Sequence, residues 1–422
     1  MDEVLLPEAH ATLERLAAEA KPTYARRAKA LLLCAEGHSA VSVAAQVGLS
    51  PQRVRHWRRQ FRARGMAVFP PRILRSFAVA DDAPSVEPAT AEAPLPEAAR
   101  ALTLPAKPGI LPDDPMSEAG RKVLAFHWAH MLSHEQGARL GEDIEELHDM
   151  RVATRRMRAA WRVFSPYFRA KSIAPFVREL RRLGRTLGAV RDLDVFMDKA
   201  ERYRLALPDA ERESLSPLLA AWQAQRAAAR DEMIAYLESD PYRAFVASFA
   251  AFLGTPGEGA RSFSAQEGPK PLLVREVAPV IIYQRLGELR AFEPFVSAAS
   301  VTQLHALRIS CKHLRYTLEF FAEVLGAEAK GVIKQIVALQ DHLGALQDAV
   351  VASDLLRGFL NEWAERQKTE PTTRRVAIHG VASYLAAKQA EIYQLLQEFP
   401  AAWTRLNDPA VRHDLAAAVA AL

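Results

Sequence analysis

HDMRVATRRMRAAWRVF at residues 148–164 and HALRISCKHLRYTLEFF at residues 305–321 are one pattern written twice, at a constant offset of 157. His148 falls on His305, Arg151 on Arg308, Arg155 on Lys312 and Arg158 on Arg315. A histidine or cation thus recurs at steps 0, 3, 7 and 10, which at 100° per residue covers an arc of about 80° on a helix. Each stretch therefore reads as a helix with one cationic stripe. Arg162 prolongs the first stripe, where the second copy has Glu319. Val152, Met157, Trp161 and Phe164 in one copy, and Ile309, Leu314, Leu318 and Phe321 in the other, supply an apolar face. Like charges three and four residues apart destabilise a helix by a few tenths of a kcal/mol per pair, so stability alone would intersperse carboxylates along this face. Their absence at the same positions of two distant segments points to an anionic ligand.

The helices that follow repeat as well. RELRRLGRTLGAVRDLD at 178–194 lies 156 residues before KQIVALQDHLGALQDAV. Arg178 matches Lys334, Gly188 matches Gly344 and Asp192 matches Asp348. Arg178, Arg182 and Arg185 make a second stripe; the other copy keeps only Lys334 and has Asp341 opposite Arg185. Residues 148–204 hold 15 Lys/Arg against 6 Asp/Glu, so the first copy should bind anions more strongly. The recurring aspartates are expected to orient stripe arginines or to form helix salt bridges, and the two glycines to allow close helix packing.

Working outward, Leu/Ala/Arg/Glu-rich segments without β-branched alternation fill residues 117–422, which predicts an all-α region. A Gly/Pro/Ser-rich break at 254–271 divides it into halves, 117–253 and 272–422, each with four helical segments. The predicted spans are 117–140, 143–165, 172–204 and 209–253, then 272–293, 301–325, 328–360 and 373–399.

These residues resemble the conserved histidine α-helical domain, the CHAD family, whose hallmark is two copies of a basic helix of the H-x-x-R-x-x-x-[RK]-x-x-R kind. The resemblance covers 117 to about 400. It implies two four-helix bundles related by a pseudo-twofold around a basic groove or pore, binding of inorganic polyphosphate, and for some members association with polyphosphate granules. By position it places His148, Arg151, Arg155, Arg158, Arg178, His305, Arg308, Lys312, Arg315 and Lys334 along the anion groove. Arg162, Arg182 and Arg185 join them through the stripes. Other members couple this domain to a triphosphate-processing tunnel domain, but residues 1–116 lack its E-x-E-x-K signature.

Residues 1–76 read instead as a basic helix-turn-helix unit. From Lys29 the chain gives a helix, a short second helix, a tight turn at Gly48, and a third helix opened by Ser50 as N-cap and Pro51 as first residue. Ala44, Val47, Leu49, Val54 and Trp57 stand at the small or apolar positions such a unit needs. The third helix carries Arg53, Arg55, Arg58, Arg59, Arg62 and Arg64, suited to DNA phosphates with Gln52 and Arg55 as base-edge readers, the alternative being a protein-interaction module whose arginines form a solvated face. Between the units, residues 77–116 carry 8 of the chain's 26 prolines and an excess of acid, which predicts an extended linker.

The whole chain has 422 residues, 50% hydrophobic and 25% charged, with a net charge of +5. That is the composition of folded domains, and the surplus is too small to name a partner apart from its placement. No apolar run approaches membrane-spanning length, and the acidic start lacks a signal-peptide pattern, so a cytoplasmic location without membrane contact is expected. Cys34 and Cys311 form no C-x-x-C pair. His127, His130 and His134 have metal-ligand spacing, yet Glu135 is the only evident carboxylate nearby, and a satisfied or exposed cluster is the favoured reading. Glu145-x-x-His148 is answered by Thr302-x-x-His305, which removes the carboxylate a symmetrical di-metal site requires. No metal or cofactor is therefore expected, and no catalytic residue. The expected partners are polyphosphate and, through the N-terminal unit, DNA. Two rival functions remain: a metal-dependent phosphoanhydride hydrolase, and a regulator that binds nucleic acid with both units.

Overall fold

The computed structural model describes residues 7–19, 22–48, 106–262, 272–369 and 377–422, together with Val54, Trp57, Arg58, Phe61, Leu74 and residues 65–69. No strand occurs among the described residues; only two isolated bridges, Pro115–Leu273 and Phe168–Ala260, interrupt the helices. The chain divides into two compact units, Met1–Ala93 and Pro94–Leu422.

In the first unit, α1 (Pro7–Glu19), α2 (Pro22–Ala35) and α3 (Ala40–Val47) precede the stretch read as the third helix. Ser39 caps α3, its hydroxyl accepting the Ser42 N–H at 3.2 Å. Gly48 ends it at φ 67, the left-handed turn its lack of a Cβ allows. Ala44, Val47, Val54 and Trp57 are buried. The sequence reading missed α1, whose Leu13 and Leu16 join Trp57 and Phe69 in the core. Arg27 is buried there too: its Nη1 donates to the Val68 carbonyl at 2.7 Å and its guanidinium lies 3.5 Å from the centre of the Trp57 ring. Leu49, Ser50, Pro51, Gln52, Arg53, Arg55, Arg59, Arg62 and Arg64 lie outside the described residues, as does most of the expected linker. Arg58 is half-buried.

The second unit is a pair of pseudo-symmetric bundles. The first contains α4 (Met116–Leu140), α5 (Ile144–Phe164), α6 (Ala170–Ala206), α7 (Ser216–Leu237) and α8 (Asp240–Gly254). The second contains α9 (Val274–Arg290), α10 (Val301–Phe320), α11 (Ala329–Thr369), α12 (His379–Leu406) and α13 (Pro409–Ala420). Four long helices per half carry each bundle, and a short fifth closes it. The fifth helices correct the expected spans. The segment read as one helix over 209–253 breaks at Ser239, which caps α8 ahead of Pro241. The last segment likewise runs past residue 399 and restarts at Asp408 ahead of Pro409. Both breaks carry the same signal, a side-chain cap followed by proline in the first turn.

The two stripe helices are both held firmly at their starts. Asp143 caps α5 by accepting the Glu145 N–H at 3.0 Å, with Glu145 and Glu146 at the positive end of the dipole and Arg162 at the negative end. Ser300 and Gln303 form a reciprocal capping box on α10. Their buried faces are Met150, Ala153, Met157 and Trp161 on α5, and Leu307, Cys311, Leu314 and Leu318 on α10. Of the expected apolar faces, Met157, Trp161, Phe164, Leu314, Leu318 and Phe321 are buried, whereas Val152 is only half-buried and Ile309 is 38% exposed.

The halves share one continuous core and are joined in three places. At their starts, Met116 N–H donates to Leu272 O at 2.8 Å and Val274 N–H to Asp114 O at 3.0 Å. In the middle, α5 packs against α10. At the far ends of the long helices, Ala200, Leu218, Trp222, Leu356 and Tyr384 form a second small core, with Tyr203 and Tyr384 stacked at 4.5 Å. Each large side chain buried there contributes roughly 1.5–3 kcal/mol, enough to fix how the halves meet.

Candidate anion-binding site

The contact between α5 and α10 places equivalent residues of the two halves face to face. Arg156 Nη2 pairs with Glu319 Oε2 at 3.0 Å, and Arg162 meets the His313 ring. These two contacts are images of one another under the 157-residue offset, since Arg156 maps to His313 and Arg162 to Glu319. The pseudo-twofold therefore passes close to Ala159 and Tyr316, which are also equivalent and line one shared hollow. One turn before them stand Arg155 and Lys312. Symmetry brings cation against cation.

The electrostatics follow from that placement. Burial pushes the Lys312 ammonium down to about 7, and Arg308, Arg155, Arg315 and Arg151 add to the fall. Arg155 is lowered too, first by burial and then by Arg315, Arg151 and Arg156, with the Tyr316 hydroxyl opposing. Yet the Arg155 side chain is exposed to water. Arg155 thus meets its cationic neighbours on the water-facing side of the seam. Five cations from both halves thus converge there: Arg151 and Arg155 from α5, and Arg308, Lys312 and Arg315 from α10.

Few carboxylates answer them. Arg151 Nη1 pairs with Asp192 Oδ1 at 2.8 Å, and Arg315 Nε lies 3.5 Å from Glu319 Oε1. Among the described residues, Arg155, Arg308 and Lys312 have no carboxylate within 4 Å. The buried Arg308 Nε and the Tyr316 hydroxyl have no hydrogen-bond partner among the described residues. A buried donor left open costs about 1–3 kcal/mol, so these atoms mark a place where an anionic oxygen fits.

The recurring glycines lie against stripe guanidinium groups. A Cβ on Gly188 would stand 3.6 Å from Arg151 Nη2, and one on Gly344 would stand 3.6 Å from Arg308 Nε. A Cβ on Gly184 would come within 2.9 Å of Arg158 Nη1. At 3.6 Å a Cβ on either recurring glycine would make an ordinary contact with the guanidinium beside it, so neither the stripe nor close backbone packing demands a glycine there. Asp192 orients Arg151 as expected, but Asp348 crosses to the other half and pairs with Lys199 at 2.8 Å. Arg308 is thereby left without the counter-ion its equivalent has.

His148 stands beside Arg191 and Arg155, and burial with those two charges holds it below the usual histidine value. His305 is exposed, with Nδ1 at 2.6 Å from Gln347 Oε1. Arg191 and Gln347 are equivalent at the 156-residue offset, so each stripe histidine meets the same position of the next helix. Farther along α5, Arg158 is surrounded by Arg162, Arg181, Arg185 and Arg151, which lower it after burial. Arg182 turns aside and lies 4.6 Å from the centre of the Tyr236 ring. Arg178 and Lys334 are exposed on α6 and α11. Beside Arg308 and Arg315 stands Asp341, held above the usual carboxylate range by burial. The sequence reading missed Arg156, Arg181, Arg191 and His313. Only Arg191 carried a usable signal, its constant offset from Gln347.

The histidine cluster disperses. His127 is buried against Phe126 and Phe320 and pushed down to about 3, first by desolvation. His130 Nδ1 is 3.0 Å from Phe126 O, and His134 Nδ1 pairs with Glu146 at 2.8 Å. Among the described residues no group of three His, Cys, Asp or Glu is placed to hold a metal ion, and no helix is long and apolar enough to cross a membrane.

Comparison with known proteins fits this geometry. The model of the CHAD domain matches residues 122–357, over half the chain. The chain belongs to the CHAD family. That family is linked to polyphosphate binding, and a CHAD domain is generally a binding domain rather than a catalytic one. The model of a homeodomain-like domain matches residues 21–68, the helix-turn-helix unit. The crystal structure of the CHAD domain from the plant Ricinus communis is similar, with a TM-score of 0.55 and 25% identity, over 72% of this chain and 96% of that one. PptA from Streptomyces chartreusis shares the fold at a TM-score of 0.51 and 15% identity, over 69% of this chain and all of that one. Uncharacterized proteins from two strains of Mycobacterium tuberculosis are 28% identical over 59% of this chain. The chain spans about half the length of these curated relatives, 47%.

Proposed function

We propose that this CHAD protein binds inorganic polyphosphate, or a similar linear polyanion, along the seam between its two bundles. The observation that carries the reading is the meeting of Arg151, Arg155, Arg308, Lys312 and Arg315 across the pseudo-twofold with too few carboxylates to neutralise them. A polyphosphate chain offers one charge per phosphate and oxygens on every side. Arginine forks to such oxygens, and lysine serves as a point charge. His148 and His305 flank the centre. Arg158, Arg162, Arg178 and Arg185 extend the path over the first half, with Arg182 set aside on the Tyr236 ring and Lys334 alone on the second. The empty site stores repulsion that the bound anion removes.

The N-terminal unit is assigned to DNA through Gln52, Arg53, Arg55, Arg58, Arg59 and Arg62. Joined in one cytoplasmic chain, the two units would tie polyphosphate granules to DNA. Filter retention of labelled long-chain polyphosphate, with duplex DNA as competitor, tests the assignment. Retention by the full chain under excess DNA is expected. Complete displacement by DNA would favour a nucleic-acid binder using both units, and phosphate release with magnesium would favour a hydrolase.

A further inference from the structure

The seam does not account for a second concavity, formed where α5 ends and α6 begins. It is an open cleft of about 530 Å³, within the range of roughly 300–1,000 Å³ typical of small-molecule sites. Arg158 and Arg162 from α5 and Arg178 and Arg181 from α6 stand in its lining. Between them runs an apolar wall of Pro166, Ala170, Ile173, Ala174 and Val177, with Trp161 adjoining. Pro166, Ala170 and Ala174 are exposed to water.

Three features fit this cleft to more than a bare phosphate chain. First, its cations are nearly free: among the described residues Arg158 and Arg181 have no carboxylate within 4 Å, and Arg178 Nε has only the adjacent Glu179, at 3.8 Å. Second, a phosphate chain has no apolar atoms with which to cover the wall. A planar heterocycle does, and guanidinium groups stack on such rings while forking to phosphates. Third, the cleft breaks the pseudo-symmetry. The positions of Arg162 and Arg181 are held by Glu319 and Val337 in the other half, so a groove shared by both halves does not require them. The lining also includes Ala170, the first residue of α6, whose start has no side-chain cap and favours negative charge.

We infer that the α5–α6 cleft, at the outer end of the proposed polyphosphate path and sharing Arg158, Arg162 and Arg178 with it, also takes a nucleoside polyphosphate, its ring on the Pro166–Val177 wall and its phosphates between Arg158, Arg162, Arg178 and Arg181.

Calorimetry on the full chain with ATP, GTP and inorganic tripolyphosphate tests this at equal phosphate count. Either nucleotide should bind about tenfold tighter than tripolyphosphate, from stacking of one ring. Ala174→Phe, which fills the wall, should remove that advantage while long-chain polyphosphate stays bound through the seam cations. Val177→Gln, a milder change, should reduce it in the same direction if the first variant unfolds. Lys312→Met, at the seam, should weaken long-chain polyphosphate and spare the ratio of nucleotide to tripolyphosphate. Equal affinity for ATP, GTP and tripolyphosphate, or an unchanged ratio in folded Ala174→Phe, overturns the inference. Loss of long-chain binding with the nucleotide ratio retained would instead count against the polyphosphate reading alone.

Discussion

Lys312 is the residue on which the site's chemistry turns. Its value in the empty folded protein is about 7, against 10.5 for a free lysine. Below pH 7 both folded and unfolded chains hold the proton. Between about 7 and 10.5 only the unfolded chain does, so the lysine's penalty on folding is full at acid pH and fades as pH rises through that window. Thermal unfolding of the ligand-free protein should show this as a midpoint that climbs from pH 7 to 9 relative to Lys312→Met, and parallel curves would refute it. A bound polyanion reverses the shift and restores the charge. Polyphosphate binding at pH 8 should therefore take up protons, read as heats that differ between buffers of different ionisation enthalpy, and Lys312→Met should abolish the difference. Because burial and Arg191 hold His148 below the usual histidine value, its charge appears only at lower pH. Arg155→Met should raise the unfolding temperature of the empty protein while weakening binding, since it removes repulsion and a ligand contact together.

At the scale of the helix, the stripes were legible because spacing fixes the direction of side chains on a rigid rod, and His148, Arg151, Arg155 and Arg158 repeat that spacing in the second copy. How the rods cross was not legible. It depends on long-range packing such as Phe164 against Phe320 and Phe321, so Arg156–Glu319 and Arg162–His313 became visible only in the fold. The breaks at Ser239 and Asp408 did carry a local signal, which the Ala-rich flanks obscured. Two stability changes follow. Ser239→Ala should cost about 1 kcal/mol in urea unfolding, as a lost cap. Arg156→Ala should cost about 1 kcal/mol by leaving the half-buried Glu319 with Arg315 alone, a pair partly screened by water. Neither loss in the measured free energy would mean that the caps or the cross-seam pair do not hold these helices.

For the whole molecule, the sequence marks two units with different anion chemistry, and each should answer to its own substitutions. Arg53, Arg55 and Arg59 changed together to alanine should abolish a DNA mobility shift and leave polyphosphate heats intact; loss of both would refute the division of labour. Binding at the seam should also be strongly salt-dependent. By analogy with single-stranded nucleic acids, about five phosphate contacts imply a fall of roughly a hundredfold between about 50 and 200 mM salt. The most direct measurement is calorimetric titration of long-chain polyphosphate into the full chain and into a variant with Arg151, Arg155, Arg308 and Lys312 all replaced by alanine, at both salt concentrations. The wild type should bind with that steep salt dependence, and the variant should stay folded and bind far more weakly, keeping only what the α5–α6 cleft retains. Undiminished affinity in a folded variant would contradict the seam as the binding site.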